Sequence, residues 1–367
     1  MVKIIIGGDF RAKETSDISF SKDLDELLQS ANLRVCNFEA PIEVDTPRAL
    51  KAGPSIDQKE ESAQFLLKNK FEVILLANNH VMDFGEAGLR QTLSTFESVV
   101  TVGAGDAKEA YSVKIVSVGG KRIGFISLVQ YEFGVLPSKK SDGLGAAWIN
   151  SADVRDIISE SKDKVDCLIV CPHAGIENVD APLPEWREVY RNFIRWGADV
   201  VVASHPHTPQ GWEVYEGHYI FYSLGNFFFD GMDNGLHWHD SLLVELQIDQ
   251  CVSANVHNIS FHGNKIVLDN SEQIKEHTNY LLSLLKDEEK YNSFIDKLCD
   301  DLYYPSCYRF IRGFGGVSTR FGFKLFVRLI AFMLLRKQNE LLLLNAIRCE
   351  SHRWLVERYI RNHYNVN

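Results

Sequence analysis

The run Asp199-Val200-Val201-Val202-Ala203, followed at once by Ser204-His205-Pro206-His207, limits the possible folds of this chain more than any other stretch. Three consecutive β-branched apolar residues suit a strand buried on both faces, as in the centre of an α/β sheet. Residues just beyond the carboxyl end of such a strand face the crevice where open α/β sheets hold their ligands. Two imidazoles held apart by Pro206 suit metal coordination through neutral nitrogens. The pair alone reads equally well as two polar loop histidines.

The rest of the chain repeats the pattern. Apolar runs at Val2–Ile6, Arg34–Phe38, Glu72–Ala77 and Asp166–Cys171 alternate with amphipathic segments at Lys22–Ser30, Asp57–Lys68, Glu86–Ser98, Ala152–Ser161 and Pro184–Trp196. Strand-like pieces follow one another from Gly211 to Leu268. This order predicts an α/β domain with mixed sheets over residues 1–270. Beyond Asn270 only helical patterns remain, at Ser271–Lys286, Glu288–Leu302, Arg320–Lys337 and Glu340–Arg361, so 271–367 is expected to be a helical C-terminal extension.

Charge and cysteine usage narrow the function. The net charge is −10, yet residues 303–367 carry eleven Lys/Arg against three Asp/Glu. An acidic main body argues against nucleic acid as a partner. The basic, apolar stretch Phe321–Leu335 is interrupted by Lys324 and Arg328, which argues against a membrane span. It suits either peripheral contact with an anionic membrane or a helical cap packed on the acidic body. Seven cysteines, none in a C-x-x-C arrangement, argue against a zinc-finger or disulfide framework. The first residues enter an apolar strand with no signal-peptide pattern, so the expected location is cytoplasmic, with any membrane contact at the inner face.

Chemically competent residues recur where the apolar runs finish. The first ends in Gly7-Gly8-Asp9, the second in Asn37-Phe38-Glu39, the third in Asn78-Asn79-His80 and a later one in His173-Ala174-Gly175-Ile176-Glu177. Parallel strands bring such ends to one edge, and the donors together suit divalent metals through carboxylate, amide and imidazole groups.

These residues fall in longer motifs: Gly8-Asp9, Asn37-Phe38-Glu39-Ala40-Pro41-Ile42, the run Ala77 to Leu89, Gly103-Ala104-Gly105, His173-x-Gly175-x-Glu177, the run Gly197 to His207, and Ile220 to Phe227. In order and spacing the chain resembles the bacterial capsule-synthesis proteins of the CapA type (poly-γ-glutamate synthesis, PgsA-like), within the calcineurin-like metallophosphatase superfamily. The resemblance covers roughly the first 230 to 250 residues. It implies a four-layer α-β-β-α sandwich binding one or two divalent ions, Mn, Fe or Zn. It implies Asp9, Glu39, Asn79, His173, His205 and His207 as metal ligands, with Glu39 as the bridge, and His80 as general acid.

The first superfamily motif is D-x-H, whereas this chain reads Asp9-Phe10-Arg11, and the second is shortened to Asn-x-Glu. Arg11 is a candidate to hold a phosphate or carboxylate of the substrate, or else is an exposed loop charge. Asp83 either orients His80 or caps the helix beginning near Glu86. Glu177 is a candidate to sit beside His173 in the cleft or else is solvated, Asn226 is a candidate to line the cleft, and His237 and His239 read as loop histidines reaching toward substrate. The implied function is metal-dependent phosphoester hydrolysis in capsule, poly-γ-glutamate or other envelope-polymer synthesis, with capsule-synthesis proteins as partners. The alternative is a non-catalytic assembly or polymer-binding protein on the same fold.

Overall fold

Along β1 (Val2–Arg11), Ile4 and Ile6 enter one apolar cluster while Ile5 enters another. β11 (Cys167–His173) does the same, with Cys167, Ile169 and Cys171 on one side and Leu168 and Val170 on the other. Alternate residues of a strand face opposite ways, so each strand separates two cores. The cluster shared by both strands lies between two sheets, and each outer cluster lies under helices. The result is a four-layer α-β-β-α sandwich. The computed structural model describes residues 1–13, 17–232, 235–313 and 340–364, with backbone alone over 304–313.

The first sheet has nine strands. Besides β1 it contains β2 (Ser19–Phe20), β3 (Leu33–Phe38), β4 (Val73–Leu75), β5 (Val100–Val102), β15 (Asn226–Phe229), β16 (Asp240–Ile248), β17 (Val252–His262) and β18 (Lys265–Leu268). Its order is β2-β18-β17-β16-β1-β3-β4-β5, with β15 parallel to β1. The second sheet runs β13-β14-β12-β11-β8-β7, from β7 (Lys114–Val118), β8 (Lys121–Val129), β12 (Val200–Val202), β13 (Pro209–Tyr215) and β14 (His218–Leu224). A three-stranded sheet of β6 (Ala104–Asp106), β9 (Val135–Leu136) and β10 (Leu144–Ala147) completes the set. In the first sheet β1, β3, β4 and β5 are parallel, and in the second β8, β11, β12 and β14 are. The carboxyl ends of both groups meet at one edge of the sandwich, where the candidate residues lie.

Helices α1 (Lys22–Gln29), α2 (Glu60–Lys68) and α3 (Gly85–Thr95) cover the first sheet through Leu24, Leu66 and Leu89. The short α4 (Ala107–Ala110), α5 (Asp153–Lys162) and α6 (Pro184–Trp196) cover the second. Helices α7 (Glu272–Lys286), α8 (Glu288–Gly313), α9 (340–348) and α10 (Glu350–Tyr364) follow. Leu284, Tyr291, Ile295 and Leu355 from this C-terminal part join the same cluster as Trp186 and Tyr190 of α6. The expected helix Glu340–Arg361 is in fact two, interrupted at Cys349. The break lets Glu350 enter the body, where its carboxylate accepts hydrogen bonds from Tyr131 N (2.8 Å), Trp148 Nε1 (2.7 Å) and Asn150 Nδ2 (3.2 Å). The expected helix Arg320–Lys337, including Phe321–Leu335, lies outside the described residues. No helix among the described residues is long and apolar enough to cross a membrane.

One ion cluster fastens α6 to the second sheet. Glu213 on β13 accepts from Arg191 (2.7 and 2.8 Å), Arg187 (3.1 Å) and the Tyr222 hydroxyl (2.6 Å). Desolvation alone would raise its carboxyl, but Arg191, Tyr222 and Arg187 outweigh it and bring the pKa down to about 2. A depressed carboxylate pKa contributes stability above its ordinary value of 4.5 and loses it as pH falls toward 2. The contribution is on the order of 2 kcal/mol once solvent screening is allowed for. Urea unfolding of Glu213→Gln should therefore show a deficit against the parent at neutral pH that narrows below pH 4.5. A deficit independent of pH would show that packing, not charge, holds this joint.

Candidate metal centre

Asp9 reaches the centre because β1 is bulged. Its register on β3 runs from Ile6↔Val35 to Asp9↔Asn37, so β1 carries one residue more than its partner. A bulge of this kind re-aims the side chains that follow it. Phe10 thereby joins the outer cluster rather than the face of Ile4 and Ile6. Gly8 is required at the bulge, since a Cβ there would lie 1.9 Å from the Gly225 carbonyl oxygen. That carbonyl accepts from Asp9 N at 3.0 Å.

The donors converge in two groups. Asp9, Glu39 and His207 form one, and Glu39, His173 and His205 the other, with the ligand atoms of each group all within 4.8 Å of one another. Glu39 belongs to both. His173 Nε2 and His207 Nε2 each lie 3.7 Å from Glu39 Oε1. Asn79 joins the second group, with Oδ1 3.0 Å from His173 Nε2, and His205 Nδ1 lies 3.2 Å from that same nitrogen. All six expected ligands are thus brought together and buried.

Neighbours hold these donors in place. Asn37 Nδ2 donates to Asp9 Oδ1 at 2.7 Å, and His205 N donates to Asp9 Oδ2 at 3.1 Å. His207 Nδ1 lies 2.9 Å from Asn226 Oδ1, an arrangement that fixes the ring and leaves Nε2 for a ligand. His173 Nδ1 lies 3.0 Å from Ser204 Oγ, and His205 Nε2 lies 3.0 Å from Gln130 Nε2. The backbone is strained at the same place, with positive φ at Ala40 (105°), His205 (104°) and His207 (59°). Such conformations cost about 1–3 kcal/mol each and cluster at functional sites.

The electrostatics suit a cation. Burial and then the Asp9 charge push the Glu39 carboxyl well above the usual range, and burial raises Asp9. Neither Glu39 oxygen has a hydrogen-bond partner among the described residues. Burial holds His173 well below the ordinary imidazole value and His205 at about 3, so both present neutral nitrogens. Buried carboxylates that repel each other beside neutral imidazoles form a set that a divalent ion would satisfy.

His80 stands beside Asn79 in a second arrangement. Its Nδ1 lies 2.7 Å from Asp83 Oδ2 and 3.0 Å from Lys51 Nζ. Lys51 also pairs with Asp83 Oδ1 at 2.5 Å. Asp83 therefore orients His80 and does not cap a helix; α3 begins after Phe84 without a side-chain cap. Burial and Lys51 lower the imidazole, and Asp83 partly opposes them.

Three expected residues have other surroundings. Arg11 is buried, not an exposed loop charge: Nη1 donates to the Asp230 carbonyl (2.5 Å) and lies 3.2 Å from Asp230 Oδ1, and Nε donates to the Asp57 carbonyl (3.2 Å). Asn226 is buried and holds His207. Glu177 is exposed. His239 packs on Phe261 and His237 stacks on His277. Sequence reasoning passed over Asn37, Ser204, Gln130 and Lys51. The first two lie inside motifs already noted and Gln130 follows the end of β8, but Lys51 carries no local signal.

The family model described as bacterial capsule synthesis protein PGA_cap matches residues 6–231. The chain belongs to this family. Among its relatives are a capsule biosynthesis protein CapA of Bacillus anthracis, 31% identical over 58% of this chain and 53% of that protein, and a PGA biosynthesis protein CapA of Bacillus subtilis (strain 168), 34% identical over 53% of this chain and 51% of that protein. The chain thus spans about half the length of these two relatives. A solved 5'-nucleotidase from Candida albicans SC5314 aligns over 76% of this chain and 54% of that one, at 13% identity and a TM-score of 0.43.

Proposed function

We propose that this PGA_cap protein is a metal-dependent phosphoester hydrolase serving capsule, poly-γ-glutamate or other envelope-polymer synthesis. The observation that carries this reading is the meeting of two donor groups on Glu39, a buried carboxylate with no hydrogen-bond partner among the described residues. Asp9, Glu39 and His207 would hold one cation, and Glu39, Asn79, His173 and His205 the other. The mixed donors suit Mn, Fe or Zn. Bound there, the cations supply Lewis-acid polarisation of a phosphoryl group and lower the pKa of a water.

The chain's own part is to exclude bulk water, orient the ester and move a proton. Asp83 engages His80 Nδ1, so Nε2 is the atom left to deliver a proton to the departing oxygen. Lys51 spans Asp83 and His80 and fixes the pair against each other.

The test is turnover of generic phosphomonoesters and phosphodiesters by the full chain loaded with Mn²⁺, Fe²⁺ or Zn²⁺. Turnover that disappears on chelation and returns with metal is expected. Inactivity of fully metallated protein would overturn the hydrolytic reading. It would favour the second one, a polymer-binding assembly protein, which has one observation behind it. The residue two places after Asp9 is Arg11, whose guanidinium is bound to Asp230 and supplies no metal ligand.

A further inference from the structure

We propose that Asp180, His237 and His277 form a second divalent-cation site of the zinc class, separate from the Glu39 centre. The three donors come from distant parts of the chain: the loop before α6, the loop between β15 and β16, and helix α7. Their ligand atoms all lie within 4.8 Å of one another.

The two imidazoles of the site meet face to face. The His237 and His277 rings are stacked with centroids 3.5 Å apart and planes 10° from parallel. Zinc–nitrogen bonds of about 2.0–2.1 Å in a tetrahedron place neighbouring donors roughly 3.4 Å apart. The ligand atoms are already close, but parallel rings cannot both hold one ion in their planes, so binding requires one imidazole to turn about its Cβ–Cγ bond until the two lone pairs meet at about the tetrahedral angle.

His277 supplies the independent observation. Its side chain is 9% exposed, and Nε2 has no hydrogen-bond partner among the described residues. The nearby carboxylate oxygen, Asp180 Oδ1, is 3.8 Å away, too far for a hydrogen bond. A buried polar nitrogen left unsatisfied costs about 1–3 kcal/mol. A cation between the two groups removes that cost, whereas stacking of neutral rings does not.

His237 is prepared for the same role. Asp240 Oδ2 lies 2.8 Å from its Nδ1, the carboxylate–histidine pairing that leaves Nε2 as the donor. Two imidazoles and one carboxylate favour zinc over calcium or magnesium. The site would also brace the Glu39 centre. Trp238, next to His237, packs 4.8 Å from the His207 ring, and its carbonyl accepts from Asn226 Nδ2 at 3.0 Å. A cation here ties that loop to α7.

The experiment is zinc content after equilibration of the full chain with Zn²⁺ and removal of excess, with circular dichroism as the folding control. His277→Gln and Asp180→Asn should each lose one equivalent relative to the parent. Glu39→Gln, which removes the charged bridge of the central site, should retain the equivalent that depends on His277. In Glu39→Gln protein loaded with Co²⁺, the tetrahedral visible absorption should persist and should vanish when His277→Gln is added. Asp240→Asn, which leaves all three donors in place, should weaken zinc binding about 10–100-fold and decides the matter if the other variants misfold. Unchanged zinc content and affinity in folded His277→Gln, Asp180→Asn and Asp240→Asn, or no zinc in Glu39→Gln, would overturn the proposal.

Discussion

Glu39→Gln should abolish the metal response of the central site while leaving the metal-free fold as stable as the parent, or more stable. The two halves of this result have different causes. In metal-free protein the carboxylate is buried, unpartnered and close to Asp9, which together push its pKa well up. A neutral amide of the same shape removes that charge penalty. With metal present the sign reverses. Gln keeps one neutral amide oxygen, which can serve Asp9 and His207 or Asn79, His173 and His205 but no longer bridges both with charge. The affinity loss should exceed the roughly 10–100-fold that follows from losing an outer hydrogen-bond partner. A ligand at 100 times its Kd stabilises the folded state by about 2.7 kcal/mol. The parent's Tm should therefore rise with added Mn²⁺ or Zn²⁺, and the central component of that rise should vanish in the variant. A variant that is less stable without metal, yet keeps the full metal response, would show that Glu39 is structural and that the two groups do not share it.

The clustering of the central donors was legible because parallel strands deliver their carboxyl ends to one edge, where competent residues recur as apolar runs stop; the choice of Asp9, Glu39, Asn79, His173, His205 and His207 among them came from the family resemblance. The way Asp9 arrives there was not legible. It depends on a bulge that brings Gly8 against Gly225, a contact between distant parts of the chain. The burial of Arg11 was not legible for the same reason, since its partner Asp230 lies far along the chain and its place in the fold depends on β15 pairing with β1. Lys51 sits in an irregular loop with no periodicity to mark it, and only the fold places its ammonium against Asp83. In the C-terminal part the helical pattern ran through Cys349 unbroken. The break there is tertiary, because Glu350 finds three donors in the body that no helix could supply.

His80→Asn separates proton delivery from metal binding, and its largest effect should fall on esters with poor leaving groups. General acid catalysis is worth about 10²–10⁴ in rate. That benefit exists only where the departing oxygen needs a proton as its bond to phosphorus breaks. On an alkyl phosphoester, kcat should therefore fall by about 10²–10⁴, with metal content unchanged, because His80 is in neither donor group. On an aryl ester whose leaving group departs as a stable anion, the loss should be much smaller. Asp83→Asn should show the same dependence on leaving group in weaker form. It disturbs the atom that holds Nδ1 while leaving Nε2 and the start of α3 in place. An equal loss on both esters would make His80 a residue that positions substrate, and loss of metal in His80→Asn would make it part of the cation site. A loss confined to the poor leaving group assigns the proton to His80 Nε2, since bulk electrostatics would act on both esters alike.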